Sequence, residues 1–381
     1  MILTMFFSRE VALKDWDDTG ILDREKLIYE EHLKLGHLSR VHWLSYGPGD
    51  AKLAAKLKTE GRLHPDIEVH PMPWPFRLPL IGSWLYSFLA PLIHPRPVRE
   101  ADILKSNQVS GSWTALVAKK RSGKPMIMRC GYIASIFAWK RRGLGIGPRL
   151  YEIAERKGFH TAEVGVVASQ EDKRFVVEKY GADPDKLHVL YNYIDTALFK
   201  PLPSLGRSDR LVFVGKLRKQ KNVEALIQAA AELKIPVDVY GDGSLRPKHE
   251  ALAKDLGAEM TFHGIAPNAE LPRILSGHRI YVLPSFYEGT PKTLLEAMAC
   301  GLVCVGADVV GVNEIIRHGE NGFLAADTSA GALKVAIEQA LAADAEAIGQ
   351  AALRTIEERF SLNAWAQREY ELMRTIAPHA K

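Results

Sequence analysis

Short apolar runs alternate with amphipathic helical stretches along this chain, and the alternation restarts after a proline-rich interruption at 194–206. That pattern argues for parallel sheets covered by crossover helices. No internal repeat, coiled-coil heptad or low-complexity tract competes with it. Before the interruption, strands are expected at 3–7, 41–44, 67–70, 103–106, 125–129, 164–168 and 188–191, with helices near 23–35, 112–121, 148–157 and 170–180. Ser169-Gln-Glu-Asp172 opens the last of these as a capping box, with Asp172 serving where Glu is usual. After the interruption, strands are expected at 211–214, 237–240, 260–263, 280–283, 303–305 and 323–325. Helices follow at about 328–343, 345–359 and 362–376. A chain of 381 residues has room for two separately cored domains. The fold class is therefore α/β: two doubly wound domains facing across a cleft, with ligands at the C-terminal ends of their strands.

Four of those strand ends carry polar or glycine-rich turns. Lys216 follows Val214, Gly241 follows Tyr240, Gly264 follows His263, and Glu288 follows Pro284. The last opens the stretch Glu288-Gly-Thr-Pro-Lys-Thr-Leu-Leu-Glu296-Ala-Met-Ala-Cys-Gly301. Thr290 is expected as the N-cap of a helix, Pro291 as its first residue and Gly301 as its stop. A helix N-terminus behind a tight polar turn is an anion site. Glu288 at its mouth can accept hydrogen bonds from hydroxyls, and Glu296, further along the axis, can hold a second polyol. A diphosphate flanked by two polyols describes a nucleotide sugar. The competing reading makes Lys292 and Glu296 a surface i,i+4 ion pair and Glu288 an ordinary loop carboxylate. The preceding strand, the proline start and the Ala-Met-Ala-Cys-Gly exit favour the site.

Glu288 to Gly301 resembles the E-x7-E signature of the retaining nucleotide-sugar glycosyltransferases of family 4, which have the two-domain GT-B fold. Phe213-Val-Gly-Lys-Leu-Arg-Lys-Gln-Lys-Asn222 resembles that family's phosphate-gripping turn, with Lys216 at its Arg position and Lys221 at its Lys position. Tyr240-Gly-Asp-Gly-Ser-Leu245 resembles its Gly-x-Gly turn, Phe262-His-Gly264 the strand end beside the base, and Asn192-Tyr-Ile-Asp195 the element before the domain linker. The resemblance covers about 160–375 well and the first 150 residues poorly. It implies an acceptor-binding domain over 1–195, joined by a crossing-back helix in 361–381, and a donor-binding domain over 196–360.

The resemblance also implies roles. Glu288 orders the donor sugar and Glu296 holds the ribose. Lys216, Lys221 and the helix N-terminus neutralise the leaving diphosphate. Gly215, Gly264 and Ile265 line the donor site, and the backbone of Gly289, Thr290, Lys292, Thr293 and Leu294 holds sugar and phosphate. Pro291 has no N–H to give. A lysine at 216 offers a point charge instead of a bidentate fork. No metal and no cofactor is expected, since the D-x-D of Asp183-Pro-Asp185 reads as a solvated turn. The N-terminal half departs from the family. Its first-loop Gly-Gly is represented only by Asp17-Asp-Thr-Gly20, with Gly20 as the close approach to phosphate. Ile127-Met-Arg129-Cys-Gly-Tyr132 stands where a histidine is usual, so Arg129 either contacts a phosphate or pairs with a neighbouring acid. Asn192 is a further cleft candidate.

The implied function is transfer of a sugar, from a UDP-sugar in preference to a GDP-sugar on family frequency, to a glycan or lipid-linked acceptor in surface polysaccharide synthesis. A catalytically degenerate scaffold of the same fold, a nucleotide-sugar epimerase and a phosphorylase remain open, though no lysine is singled out for pyridoxal phosphate. A dinucleotide oxidoreductase is the weakest reading. Gly143-Leu-Gly-Ile-Gly147 follows basic residues, not a strand.

Charge is distributed unevenly. Residues 71–150 hold thirteen Lys and Arg against Glu100 and Asp102, a net +11, whereas the whole chain carries only +5. The remainder is thus −6, and the asymmetry points to an anionic partner. No nucleic-acid-binding motif accompanies it. The same segment contains the apolar run 78–93, broken by Pro79 and Pro91 and too short to span a bilayer. It either lies in a membrane interface, with basic residues of 77–99 and 119–142 beside it, or covers the sheet as core. Cys130, Cys300 and Cys304 form no disulfide framework or zinc spacing. With an N-terminus that reads as a buried strand, they suggest a cytoplasmic protein, peripheral on the inner membrane face if the interface reading holds.

Overall fold

The computed structural model describes residues 1–76, 81–131, 133–135 and 146–380. Arg77, residues 78–80, Tyr132 and residues 136–145, with the 140–142 basic run and most of the 143–147 glycine run, lie outside them. The chain divides into two compact units, Met1–Leu190 with Ala366–Lys381, and Tyr191–Trp365.

In the first unit, β1 (Ile2–Phe6), β2 (Arg40–Leu44), β3 (Ile67–His70), β4 (Ile103–Ser106), β5 (Met126–Cys130), β6 (Val164–Val167) and β7 (Leu187–Val189) form one sheet. All pairings are parallel, in the order β3-β2-β1-β4-β5-β6-β7. The central strands are buried on both faces, as parallel sheets require, hence their near-continuous apolar sequences. Connecting them are α1 (Leu13–Asp18), α2 (Leu22–Glu25), α3 (Leu27–Lys34), α4 (Asp50–Thr59), α5 (Gly82–Ile93), α6 (Pro95–Glu100), α7 (Ser112–Ser122), α8 (Ile146–Thr161) and α9 (Gln170–Tyr180). Ser169 caps α9 by accepting from the Asp172 N–H at 3.0 Å, as expected. The stretch expected as one helix over 23–35 is α2 and α3 in succession.

The apolar run becomes α5, which has one buried and one exposed face. Tyr86, Ser87, Ala90 and Pro91 are buried, while Ile81, Leu85, Phe88 and Leu92 are exposed. Pro91 sits in the last turn, where loss of one N–H costs the helix little.

In the second unit, β8 (Ser208–Val214), β9 (Val237–Tyr240), β10 (Met260–Gly264), β11 (His278–Leu283), β12 (Val303–Ala307) and β13 (Phe323–Ala325) run in parallel in the order β10-β9-β8-β11-β12-β13. Their helices are α10 (Val223–Leu233), α11 (Arg246–Asp255), α12 (Leu271–Ser276), α13 (Lys292–Ala299), α14 (Ala330–Ala342) and α15 (Ala345–Arg359). Gly301, at φ 73°, ends the α13 segment, and the Arg207 guanidinium caps it through the carbonyls of Gly301 (2.9 Å) and Cys300 (3.2 Å). All three cysteines are buried thiols, and burial pushes Cys300 up to about 12.

The last helix, α16 (Leu362–Ile376), belongs to the first unit from Ala366 onward. Fully buried Glu369 fixes it there. Its carboxylate takes Lys105 of β4 at 2.6 Å and His32 of α3 at 3.1 Å, and Tyr370 stacks on His37 at 4.0 Å between ring centroids.

Candidate functional site

Topology dictates which strand ends meet. β8 and β11 are neighbours, yet β8 continues to β9 on one side and β11 to β12 on the other. Loops leaving adjacent strands in opposite directions open a crevice at their C-terminal edge. The segment after β8 carries Gly215, Lys216 and Lys221, and the one after β11 carries Glu288, Gly289 and Thr290.

Lys221 Nζ lies 2.6 Å from Glu288 Oε1, and the two side chains are only 12% and 8% exposed. The loops that bring them together are joined by further hydrogen bonds. The Phe286 N–H donates to the Gln220 carbonyl, and Gln220 Nε2 to the Tyr287 carbonyl, each at 2.9 Å. Asn222 Nδ2 donates to the carbonyls of Pro284 (3.0 Å) and Thr328 (2.8 Å). Its φ of 49° is a left-handed conformation that asparagine tolerates. Gln220 and Asn222 therefore position the pair, a role their loop setting did not reveal from sequence.

Glycine is required where backbones touch. A Cβ on Gly241, at φ 143°, would stand 1.9 Å from the Gly215 carbonyl oxygen; one on Gly311, at φ 84°, would stand 2.0 Å from that of Gly289. The Gly215 N–H donates to the Tyr240 carbonyl at 2.9 Å and the Gly241 N–H to the Gly264 carbonyl at 2.7 Å. These bonds bring the ends of β8, β9 and β10 together. Lys216 is exposed, as is Ile265 at 80% beyond the Gly264 turn. Behind that turn, His263 stacks on Tyr240 with ring centroids 4.4 Å apart. Asp238 holds His263 (3.1 Å), His278 (3.0 Å) and Arg210 (3.1 Å). Burial pushes the Asp238 carboxyl up, but hydrogen bonds to the two histidines and the arginine's charge hold it below the usual range.

α13 begins one residue later than expected. Pro291, not Thr290, is the N-cap, with ψ 102° and no side-chain cap. The Pro291 carbonyl accepts the N–H groups of Leu294 (3.1 Å) and Leu295 (3.2 Å), so the Leu294 N–H is engaged inside the helix. Thr293 Oγ1 accepts from the Tyr281 hydroxyl at 2.8 Å. Asn192 Nδ2 donates to the Thr290 carbonyl at 3.3 Å, and the Lys292 ammonium lies 6.0 Å from the Tyr193 ring centroid. Glu296 is 8% exposed, so it is no surface ion-pair carboxylate.

The first-unit candidates are placed differently. Gly20, at φ 70° and exposed, closes α1: its N–H donates to the Asp17 carbonyl at 3.1 Å, and nothing stands within 4 Å of a Cβ there. It lies a whole helix beyond the end of β1, and its left-handed backbone ends α1. The close approach at this sheet's own reversal, between β1 and β4, is Gly111. A Cβ there would meet the carbonyl oxygens of Phe6 and Phe7 at 2.7 Å. Glu10 adds a left-handed residue (φ 66°) just past β1. Arg129 Nη1 donates to the Asn107 carbonyl at 3.4 Å. Asp183 accepts the Asp185 N–H at 3.0 Å, making the D-x-D a self-capped turn.

Comparison with known proteins bears on the family and the fold. Residues 28–198 fit the model described as Glycosyltransferase Family 4, and 195–355 fit the one described as Glycosyl transferases group 1. The chain belongs to the group 1 glycosyltransferases. It is an enzyme of GT-B fold. Over 313 residues this glycosyltransferase is 29% identical to a D-inositol 3-phosphate glycosyltransferase of Frankia alni, covering 72% of this chain and 75% of that one. Over 242 residues it is 26% identical to the UDP-Gal:alpha-D-GlcNAc-diphosphoundecaprenol alpha-1,3-galactosyltransferase of Escherichia coli, covering 58% and 62%. Its fold is that of Anabaena Alr3699/HepE in complex with UDP, at TM-score 0.72 and 18% identity over 98% of this chain and 99% of that one.

Proposed function

We propose that this glycosyltransferase moves a sugar from a UDP-sugar to a glycan or lipid-linked saccharide, with retention of anomeric configuration, in surface polysaccharide synthesis. The buried Lys221–Glu288 pair at the sheet reversal carries the reading. Without ligand, the two charges neutralise each other. A diphosphate offers Lys221 a more highly charged acceptor, which frees Glu288 to accept hydrogen bonds from the donor sugar's hydroxyls. Glu296, in the second turn of α13, accepts from the ribose hydroxyls. Lys216 and the α13 N-terminus add positive potential where charge develops on the leaving diphosphate. The site thus neutralises its leaving group without calling on a metal. In the front-face course that the family resemblance implies, the departing phosphate oxygen takes the acceptor proton, so no protein base is assigned. The UDP and UDP-glucose complexes of Alr3699/HepE support the choice of donor, and the diphosphoundecaprenol named for the E. coli relative supports the acceptor class.

The test is to incubate the enzyme with α-linked UDP-hexoses and lipid-linked or soluble saccharide acceptors, following UDP release and the product anomer by NMR. UDP release with an α-linked product is expected. A β-linked product, or turnover of GDP-sugars alone, contradicts the proposal.

A lipid-linked acceptor needs access to a membrane, and α5 supplies a surface for it. Ile81, Leu85, Phe88 and Leu92 recur at helical spacing and are 69%, 49%, 41% and 44% exposed, with Trp74 at 74%. Beside Phe88, a cavity of about 490 Å³ is floored by Trp113, Leu116 and Val117 and edged by Lys119, Lys120 and Lys157. Apolar side chains edged by lysines fit an anionic lipid surface. Among the described residues no helix is long and apolar enough to cross a membrane. Co-sedimentation with phosphatidylglycerol vesicles is expected. Leu85→Asp should abolish it and phosphatidylcholine alone should not support it; binding that survives Leu85→Asp removes α5 from the contact.

A further inference from the structure

The first unit holds a second cluster of chemistry-bearing side chains, on the β3–β2 edge of its sheet and not at the β1–β4 reversal. In register, His42 lies opposite Glu68 and Leu44 opposite His70. Side chains alternate along strands, so His42, Glu68 and His70 project from one face. α6 contributes Arg96 and Glu100 beside them.

Two spacings within this cluster are those of a coordination shell. His70 Nε2 is 3.1 Å from His42 Nδ1, Glu68 Oε2 is 3.6 Å from the same nitrogen, and the three ligand atoms all lie within 4.8 Å of one another. Tetrahedral zinc with bonds of about 2.0–2.1 Å separates neighbouring ligand atoms by about 3.4 Å. His42 is fully buried, and its other nitrogen, Nε2, lies 3.3 Å from Glu100 Oε2 without a hydrogen bond in place. Rotation of that carboxylate toward Nε2 would supply the outer-shell partner that holds a ligating imidazole in one tautomer. The second oxygen of Glu68 lies 3.3 Å from Arg40 Nε and 3.5 Å from Arg96 Nη2, which leaves Oε2 to the histidines. Glu68 is 30% exposed, which gives an ion a route in.

We propose that His42 Nδ1, His70 Nε2 and Glu68 Oε2 bind a divalent cation of the zinc type, with water as the fourth ligand. All three groups belong to the first unit, and the Lys221–Glu288 pair belongs to the second. The ion therefore ties β3 to β2. The competing arrangement is a simple hydrogen bond from His70 Nε2–H to His42 Nδ1.

Tag-free, chelator-treated full-length protein titrated calorimetrically with zinc chloride separates the two. One zinc per chain is expected, with a rise in melting temperature on zinc addition and a four-coordinate absorption band when cobalt replaces it. His70→Gln and Glu68→Gln should each weaken zinc binding by at least about tenfold, on the scale of shell losses elsewhere, and should keep the wild-type circular dichroism. His64→Ala and His379→Ala should leave it unchanged. No saturable binding, or an affinity unaffected by His70→Gln, overturns the proposal in favour of the hydrogen bond.

Discussion

Lys221 is held where a phosphate would want it by an anion that the protein itself supplies. Its 2.6 Å contact with Glu288 keeps a nearly buried ammonium paired in the absence of ligand. Replacing it removes the partner that the diphosphate would take, and leaves the base and ribose contacts in place. Lys221→Ala should therefore lower UDP affinity by about 10- to 100-fold, the worth of a charge-assisted hydrogen bond, and leave uridine affinity nearly unchanged. Paired titrations check this; equal losses for both ligands would indicate general damage to the unit. Lys221 and Glu288 could be placed at neighbouring strand ends from the sequence because each lies in the loop after an apolar run that reads as a buried strand. That Gly20 ends a helix was not legible, because α1, only six residues long, carries too few periodic positions to be recognised. Thr290 and Pro291 were displaced by one place. Either residue type can start a helix, and only the backbone angle at Pro291 decides between them.

At the scale of elements, strands were easier to anticipate than helices. A parallel strand buried on both faces has to be an apolar run, so β3, β4, β9 and β13 fall at their expected limits. α4, α10 and α11 were not anticipated, although α10 carries Glu224, Gln228 and Glu232 as a polar stripe at i,i+4 spacing. The attachment of α16 was beyond sequence periodicity, because it depends on one buried carboxylate and partners 264 and 337 residues away. Burial pushes the Glu369 carboxyl up, but Lys105 and His32 outweigh it and hold it at about 2. Burial outweighs Glu369 on Lys105, whose pKa falls. A carboxyl lowered in the folded state stabilises the fold fully above its unfolded value, near 4.5, and loses that contribution as pH falls through about 2. Glu369→Gln strands the Lys105 ammonium in the interior and should cost about 3–5 kcal/mol at neutral pH. Its stability should also vary less with pH between those two values. Urea unfolding across that range checks both, and a neutral-pH midpoint equal to wild type would contradict the assigned role.

At the scale of the molecule, two doubly wound sheets share one architecture and differ in what their reversals carry. The second presents lysines, a buried carboxylate pair and a helix N-terminus; the first presents Gly111, Glu10 and a main-chain-bound Arg129. The family's short motifs were legible over the second unit and not over the first, although residues 28–198 fit the Glycosyltransferase Family 4 model. On the proposed function, the second unit holds the donor, whose diphosphate calls for one set of contacts, and the first holds the acceptor, whose chemistry varies. The central claim is that the second unit binds a uridine nucleotide through Lys221 and Glu296. The measurement that tests it most directly is calorimetric titration of the full-length enzyme with UDP, without added metal, for wild type and Glu296→Ala. The account predicts one UDP per chain for wild type and a large loss of affinity in the variant, with an unchanged circular dichroism spectrum. UDP binding that is absent from wild type, or undiminished in Glu296→Ala, would contradict it.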